Sequence, residues 1–272
     1  MSGNIVYSLI AFASILPAAA FTLAGKTERT PAFWGTLALA VAGPVIWLVI
    51  HSNGAWRSDF SSAIWVTVVF TLVCYSAVAV LSRQGWQLAS IVMPYMALLA
   101  LIAAIWENAG TGSAAGAGGS NTISNPWVIF HVMISVITYA VVTLAACAAL
   151  AGFLRERALK NKQSTPLTQR LPSMSDCDEL QLKLLGFGEL VLGLGLITGM
   201  AATFTKDGSL LHIDHKSILA MLAFAVIGIL LIVHRKSGVR GRQAARMILA
   251  GYLLLTLAYP GVKFVTDVLI GA

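Results

Sequence analysis

Charged residues are scarce in this 272-residue chain. Only 11% of its residues are Asp, Glu, Lys or Arg, whereas 58% are hydrophobic. Ordinary globular domains carry roughly a quarter charged residues. A soluble protein rarely exposes large contiguous apolar surfaces, and one core cannot bury this much apolar material. The scarcity of charge therefore excludes a soluble domain and predicts an integral membrane protein.

Motifs of several enzyme classes are also missing. The three cysteines, Cys74, Cys147 and Cys177, form no Cys-x-x-Cys pair, which argues against dithiol exchange with a client protein. No Cys-x-x-Cys-His sequence is present for covalent haem attachment, and no phosphate loop or His-Glu-x-x-His sequence occurs. We therefore expect a protein that is not an enzyme.

Long apolar runs fill the sequence between short charged connectors. A bilayer core about 30 Å thick needs roughly 20 apolar residues per helical span, and backbone amides in lipid must bond within their own helix. The pattern predicts an all-α bundle of about eight transmembrane helices. It would form a single membrane domain over 1–272, with four spans in 1–106 and four in 127–272. The predicted spans are 4–24, 32–51, 61–82, 86–106, 127–153, 180–204, 216–235 and 246–270.

Lysine and arginine predict the orientation of the spans. They concentrate after spans 1, 3, 5 and 7, most densely after spans 5 and 7. Connectors rich in these residues stay in the cytoplasm, so both termini should lie outside. The formal net charge of +7 then reflects the inner membrane surface and requires no nucleic-acid partner.

Two connectors are unusual in composition. Residues 107–126 are rich in Gly, Ala, Ser and Asn and predict a flexible outer loop. Residues 153–160 are good helix formers and should extend span 5 into the cytoplasm, before Pro166 and Pro172 interrupt the pattern. Either connector could be a docking surface, but we expect both to be solvated.

Histidine is the residue type best suited to chemistry here, because it ligates iron and is nearly neutral at pH 7. In the predicted orientation, His51 ends span 2 and His131 lies one turn into span 5, both on the outer side. His212 and His215 lie in the outer connector before span 7, and His234 lies at the inner end of that span. A haem iron takes up to two axial ligands, so His51 and His131 are candidate iron ligands. A histidine at a span end can equally be an interfacial residue that reaches water.

Glu189 is an acid predicted about three turns into span 6. Ionisable groups in lipid are costly and therefore suggest function. Glu189 is a candidate counter-charge to a buried Lys or Arg, or part of a proton path, although it could also face water. The nearby spacing Gly195-x-x-x-Gly199 predicts close helix packing.

Four stretches of the C-terminal half carry an ordered set of motifs. They are His131-Val132 with Ser135 and Tyr139; Leu185-Gly186-Phe187-Gly188 with the stretch Gly195 to Gly199; Asp214-His215-Lys216; and Val233-His234-Arg235 with Arg240-Gly241-Arg242, Tyr259, Gly261 and Val262. In this order and spacing, the half from about residue 127 to the end resembles the cytochrome c assembly family of haem-handling membrane proteins.

The resemblance implies haem contact in a bacterial inner (cytoplasmic) membrane. His131 would correspond to an outer axial-ligand histidine, and His234 to the membrane-embedded histidine nearer the cytoplasm. The implied cofactor is haem b, and the implied partners are apocytochrome or other cytochrome assembly proteins. Tyr139, Asp214 and His215 are further site candidates because they lie in the matched stretches.

The chain departs from the family pattern in two places. No tryptophan lies between Gly199 and Lys216, so the tryptophan-rich segment of haem-delivering members is missing. The second outer histidine is absent as well, since that region reads Val265-Thr266-Asp267-Val268-Leu269-Ile270. The best fit is therefore the YpjD-like or HemX-like branch. By side and depth, His51 could replace the lost ligand.

Three functions stay open at this point. We favour a membrane factor that binds or handles haem and presents it near the outer face during cytochrome maturation. A b-type cytochrome subunit exchanging electrons with quinone would need paired ligands, and His234 has no evident inner partner. A haem-free scaffold or regulatory partner would account for the missing tryptophans and the missing histidine.

Overall fold

Apolar helices make up the regular structure of the chain. The computed structural model describes residues 2–24, 29–52, 60–109, 126–162, 165–207, 215–237, 241–261 and 264–265. Their helices are α1 (Ser2–Leu23), α2 (Pro31–Ser52), α3 (Phe60–Leu81), a 3-10 helix (Gly85–Leu88), α4 (Ala89–Ala109), α5 (Pro126–Lys160), α6 (Pro166–Arg170), α7 (Met174–Asp207), α8 (His215–Ser237) and α9 (Arg242–Thr256), followed by a π-helical turn (Leu257–Gly261).

Seven helical segments of these residues are long and apolar enough to cross a membrane. The chain is therefore an all-α, multi-pass membrane protein, as the apolar runs predict. The predicted extension of span 5 is confirmed, since α5 continues to Lys160. The predicted eighth span corresponds to α9 and the π-helical turn, which together run from Arg242 to Gly261.

The start of α7 was predicted too late. We expected this span to begin at residue 180, but α7 begins at Met174. The hydroxyl oxygen of Ser173 accepts a hydrogen bond from the backbone N–H of Asp176 at 3.2 Å, and the Asp176 carboxylate accepts one from that hydroxyl. Ser173 thus satisfies an otherwise unpaired N–H, and the acid in the first turn complements the helix dipole. Capping extends the helix beyond its apolar stretch.

Contacts divide the chain into two compact units. Unit 1 comprises Met1–Thr122, Lys162–Pro172 and Lys263–Ala272, and unit 2 comprises Ile123–Asn161 and Ser173–Val262. In unit 1, α1 and α3 each pack against α2 and α4; in unit 2, α5 and α8 each pack against α7 and α9. Each unit is therefore a ring of four helices in which consecutive long helices are neighbours. The single-domain expectation stays a prediction.

The connector after α5 differs from the solvated loop that the sequence predicts. Thr165 and Thr168 form a capping box that starts α6, and Leu171 is only 1% exposed. Arg170 donates a hydrogen bond to the carbonyl oxygen of Leu23 at 3.1 Å. That carbonyl is one of the unpaired groups at the end of α1. The buried side chain of Leu171 and the hydrogen bond from Arg170 to the end of α1 therefore anchor the connector within unit 1.

Helices α1 and α2 approach closely at Gly43. A Cβ atom at this position would lie 1.9 Å from Ser14 Oγ and 2.6 Å from Ser14 Cβ. The second distance involves an atom fixed to the backbone, so rotating the serine hydroxyl would not relieve the clash. At Gly35, on the same helix, no neighbouring atom lies within 4 Å of the position that a Cβ atom would take.

We expect Gly43→Ala to lower the free energy of unfolding by about 1–3 kcal/mol, because overpacking displaces the helix backbones. Gly35→Ala is the matched control and should not lower it. Denaturation of the purified protein in detergent measures both variants. Equal stability of the two variants would contradict the close approach of α1 and α2 at Gly43.

Candidate functional site

His131 lies near the start of α5 and faces α7 within unit 2. Its Nδ1 atom is 3.0 Å from the carbonyl oxygen of Gly195 and 3.4 Å from Thr198 Oγ1. A carbonyl oxygen only accepts, so Nδ1 carries the proton and donates it. In the neutral form of this half-buried ring the lone pair then lies on Nε2, for which the described residues supply no partner. This nitrogen is available to a ligand.

Gly199 makes room for the His131 ring. A Cβ atom at residue 199 would lie 2.9 Å from His131 Cε1 and 3.3 Å from Nδ1. A Cβ at Gly195 would lie 3.4 Å from Ile134 Cγ2, so both glycines of the predicted packing motif face α5. The motif therefore does more than bring two helices together, because it also shapes the surface against which the imidazole lies.

His51 occupies the last turn of α2 in unit 1. Its Nδ1 atom lies 3.1 Å from the carbonyl oxygen of Trp47, to which it donates. The His51 ring stacks on the Trp47 ring with centroids 4.1 Å apart and planes inclined by 16°. The Nε2 atom is buried without a hydrogen-bond partner among the described residues, and Glu107 Oε1 lies 3.4 Å from it. When Nε2 is protonated, the two side chains form an ion pair.

Glu107 belongs to a buried polar chain in unit 1. Its Oε2 atom accepts a hydrogen bond from the Ser8 hydroxyl, and the Ser8 oxygen accepts one from Trp47 Nε1 at 2.8 Å. Trp65 also stacks on Trp47, with ring centroids 5.1 Å apart. Neither Ser8 nor Glu107 is among the site residues predicted from the sequence. An acid at the end of span 4, on the same side as His51, was the available signal.

Tyr139 is buried and joins α5 to α9. Its hydroxyl oxygen lies 3.2 Å from Tyr252 Oη and 3.2 Å from Thr256 Oγ1. These contacts stabilise the packing just before the π-helical turn. The structure does not bring Tyr139 into contact with His131, although the two residues lie two turns apart on one helix.

The other histidines of the matched motifs lie elsewhere. His234 is half-buried in the last turn of α8. His215 is the first residue of that helix, but its side chain lies outside the described residues. Asp214 lies outside them altogether. The roles of these residues stay predictions.

Glu189 lies half-buried on α7 and faces α8. Its Oε1 atom is 2.9 Å from the position that a Cβ atom of Gly228 would take. Its Oε2 atom is buried and has no hydrogen-bond partner within the described ranges. No Lys or Arg in those ranges pairs with this carboxylate, so the counter-charge interpretation lacks a partner there. The proton-path interpretation stays a prediction.

A metal centre built from protein ligands alone has no ligand set in the part of the chain that the structure describes. No three His, Cys, Asp or Glu residues are grouped there as such a site requires. A haem iron differs, because the porphyrin supplies four nitrogens and the protein only one or two axial ligands. A single well-oriented histidine therefore suffices for haem.

Sequence comparison identifies the family. The family model described as "Cytochrome C assembly protein" matches residues 33–270. This chain belongs to that family. It is 46% identical over the full length of both chains to an uncharacterized 28.8 kDa protein of Azospirillum brasilense. It is 26% identical to the inner membrane protein YpjD of Escherichia coli K12, covering 97% of this chain and 99% of the relative.

A more distant relative matches only in part. The cytochrome c biogenesis protein CcsA of Chlamydomonas reinhardtii is 23% identical over 145 residues, which is 53% of this chain and 40% of that protein. No solved structure matches the chain. The match to the cytochrome c assembly family covers His51, Glu107, His131 and His234. The predicted family resemblance is therefore confirmed, and it extends into the N-terminal half as well.

We expect Gly199→Ala to destabilise the protein by about 1–3 kcal/mol, because the added methyl group overlaps the His131 ring. The loss should shrink in a His131→Ala background, where the ring is gone. Gly186→Ala is the control, since no neighbouring atom lies within 4 Å of its Cβ position. A double-mutant cycle of unfolding free energies in detergent measures the coupling. Additive effects would show that the ring is not packed on Gly199.

Proposed function

We propose that this member of the cytochrome c assembly family binds haem b without covalent attachment and presents it near the outer face of the membrane. It would act as an assembly factor and not as an enzyme. The observation that carries the proposal is the orientation of His131, whose Nδ1 atom donates to the Gly195 carbonyl while Nε2 has no partner among the described residues.

The residues around His131 fit a haem ligand. Metal-ligating histidines usually donate their second ring nitrogen to a carbonyl or carboxylate, which fixes the tautomer and the ring plane. Gly195 and Thr198 provide such contacts from α7. Gly199 keeps the ring in place by close packing. The chain thus orients the imidazole so that, in its neutral form, Nε2 can bind iron.

Haem, when bound, would supply an iron that changes oxidation state and a flat apolar ring. The chain's own residues would do the rest. His131 would bind the iron, α7 would orient the ring of that histidine, and the surrounding apolar helices would limit the access of water. His234 is a further candidate ligand because it lies in a matched family stretch.

The names of two relatives support the proposed membrane location and partners. The Escherichia coli relative is named an inner membrane protein, and the Chlamydomonas reinhardtii relative is named for cytochrome c biogenesis. We therefore propose a bacterial inner membrane as the location. Apocytochrome or other cytochrome assembly proteins are the proposed partners, in addition to haem and lipid.

The test is a reduced-minus-oxidised absorption spectrum of the detergent-purified protein. We expect b-type haem in the wild type and a fall of about tenfold or more in haem content for His131→Ala, since even supporting contacts of a ligand are worth about 10- to 100-fold in affinity. Ile129→Ala is the control, because this exposed side chain lies on the same helix. His51→Ala and His234→Ala, measured in parallel, would identify a second ligand.

Other results would favour the other functions. Absence of haem from the wild type, even after haem supplementation, would reject the proposal in favour of a haem-free scaffold. Stable haem that is reduced by quinol would favour an electron-transfer subunit. Haem retained in full by His131→Ala would mean that another residue ligates the iron.

A further inference from the structure

Glu107 stands in front of the nitrogen through which His51 would bind a metal. We propose that Glu107, secured by Ser8, covers His51, and that haem iron binds His51 only after Glu107 has moved away. The inference rests on the proposed function, because it concerns how haem is held and released. It assigns a positioning role to Glu107 on α4 and to Ser8 on α1, both in unit 1.

The Nδ1 side of the His51 ring is arranged as in a metal-ligating histidine. Its Nδ1 atom donates to the Trp47 carbonyl oxygen at 3.1 Å, and stacking on the Trp47 ring fixes its plane. This arrangement leaves Nε2 as the ligating nitrogen, as is usual for metal-bound histidines. The side chain is 14% exposed, so its orientation is set by the protein and not by solvent.

The carboxylate occupies the space that haem would need. Glu107 Oε1 lies 3.4 Å from His51 Nε2, whereas a metal–imidazole bond is about 2 Å long. A porphyrin is a broad, flat ring around its iron. Binding therefore requires that no side-chain atom occupies the plane in front of the ligating nitrogen. The haem propionates are also negatively charged and would be repelled by a carboxylate that stayed in this poorly solvated place. Binding of iron to Nε2 therefore requires Glu107 to move away, and a proton held on Nε2 must leave to solvent as the bond forms.

Among the described residues, a chain of two hydrogen bonds runs from Trp47 through Ser8 to Glu107. The Ser8 hydroxyl donates to Oε2, and Trp47 Nε1 donates to the Ser8 oxygen at 2.8 Å. Ser8 is 1% exposed and Trp47 is 2% exposed, so water does not readily replace these bonds. Displacement of Glu107 must therefore break its hydrogen bond with Ser8, which links α1 and α4. This cost lowers the affinity of His51 for iron.

A covered ligand suits a protein that passes its cargo on. The carboxylate can return to His51 as the iron leaves, and it pairs with Nε2 once that nitrogen takes up a proton from solvent. His131 differs, since its Nε2 atom faces no such competitor among the described residues. We therefore expect His51 to be the weaker, displaceable ligand and Glu107 to set its strength.

Haem titration of the purified full-length protein tests the inference. The background is His131→Ala, so that ligation at His131 does not mask His51. Adding Glu107→Ala should lower the Kd for ferric haem by about tenfold, which is about 1.4 kcal/mol. Further addition of His51→Ala should abolish this gain. Ser8→Ala should give a smaller gain, because it only weakens the hold on the carboxylate.

A spectroscopic signature and two controls separate this role from a general structural one. Glu107→Ala should add a histidine-ligated ferric haem signal in electron paramagnetic resonance that disappears with His51→Ala. Glu107→Gln preserves size, but its amide N–H can donate to Nε2, so it should give no gain and serves as the covered control. Ser8→Ala leaves Glu107 itself intact and guards against misfolding of the alanine variant. Glu156→Ala removes another poorly exposed glutamate, in unit 2, and should change nothing.

The outcomes distinguish the two proposals. If the wild type binds haem through His131 but Glu107→Ala gains no affinity, the inference is wrong and the proposed function stands. A gain that persists without His51 would also overturn it. If no variant and no wild-type sample binds haem, both proposals fail.

Discussion

The cost of leaving a polar group in lipid without a partner inside the protein governs most of the side-chain hydrogen bonds in this structure. Most buried hydroxyls find a partner locally, by donating to a carbonyl one turn earlier in their own helix, as Thr67, Thr138 and Thr143 do. Such side chains need no partner helix and carry no information about function. The side chains that reach across to another helix are therefore the informative ones, and they include His131, Glu107 and Tyr139.

The rings of His51 and His131 have similar surroundings at Nδ1 and different surroundings at Nε2. Each donates from Nδ1 to a backbone carbonyl, at 3.0 Å for His131 and 3.1 Å for His51. Backbone carbonyls do not titrate, so the fold itself fixes the Nδ1 donation of both rings. The difference lies at Nε2, where His51 faces Glu107 and His131 has no polar partner among the described residues. Under the two proposals, this difference would make His131 the stronger ligand and His51 the displaceable one.

Sequence patterns predicted the long helices because apolar run length is a local property. They also placed His51 and His131 near the predicted span ends. They could not predict that α7 begins at Met174, since one serine cap outweighed a polar stretch. They could not pair His51 with Glu107 either, because these residues are separated by two helices in sequence. The spacing of Gly195 and Gly199 indicated close packing, but not that an imidazole would fill the space beside Gly199.

The buried aromatic rings of unit 1 do not replace the missing tryptophan-rich segment. Trp47 and Trp65 stack on each other, Trp47 also stacks on His51, and both indoles are almost fully buried. Phe60, Trp106 and Phe264 form a second group, with centroids 5.5–6.0 Å apart. These rings pack against protein and are not laid out as an open platform. A haem at His51 would therefore depend on ligation more than on stacking against these rings, and its affinity would follow His51 and the carboxylate that competes for it.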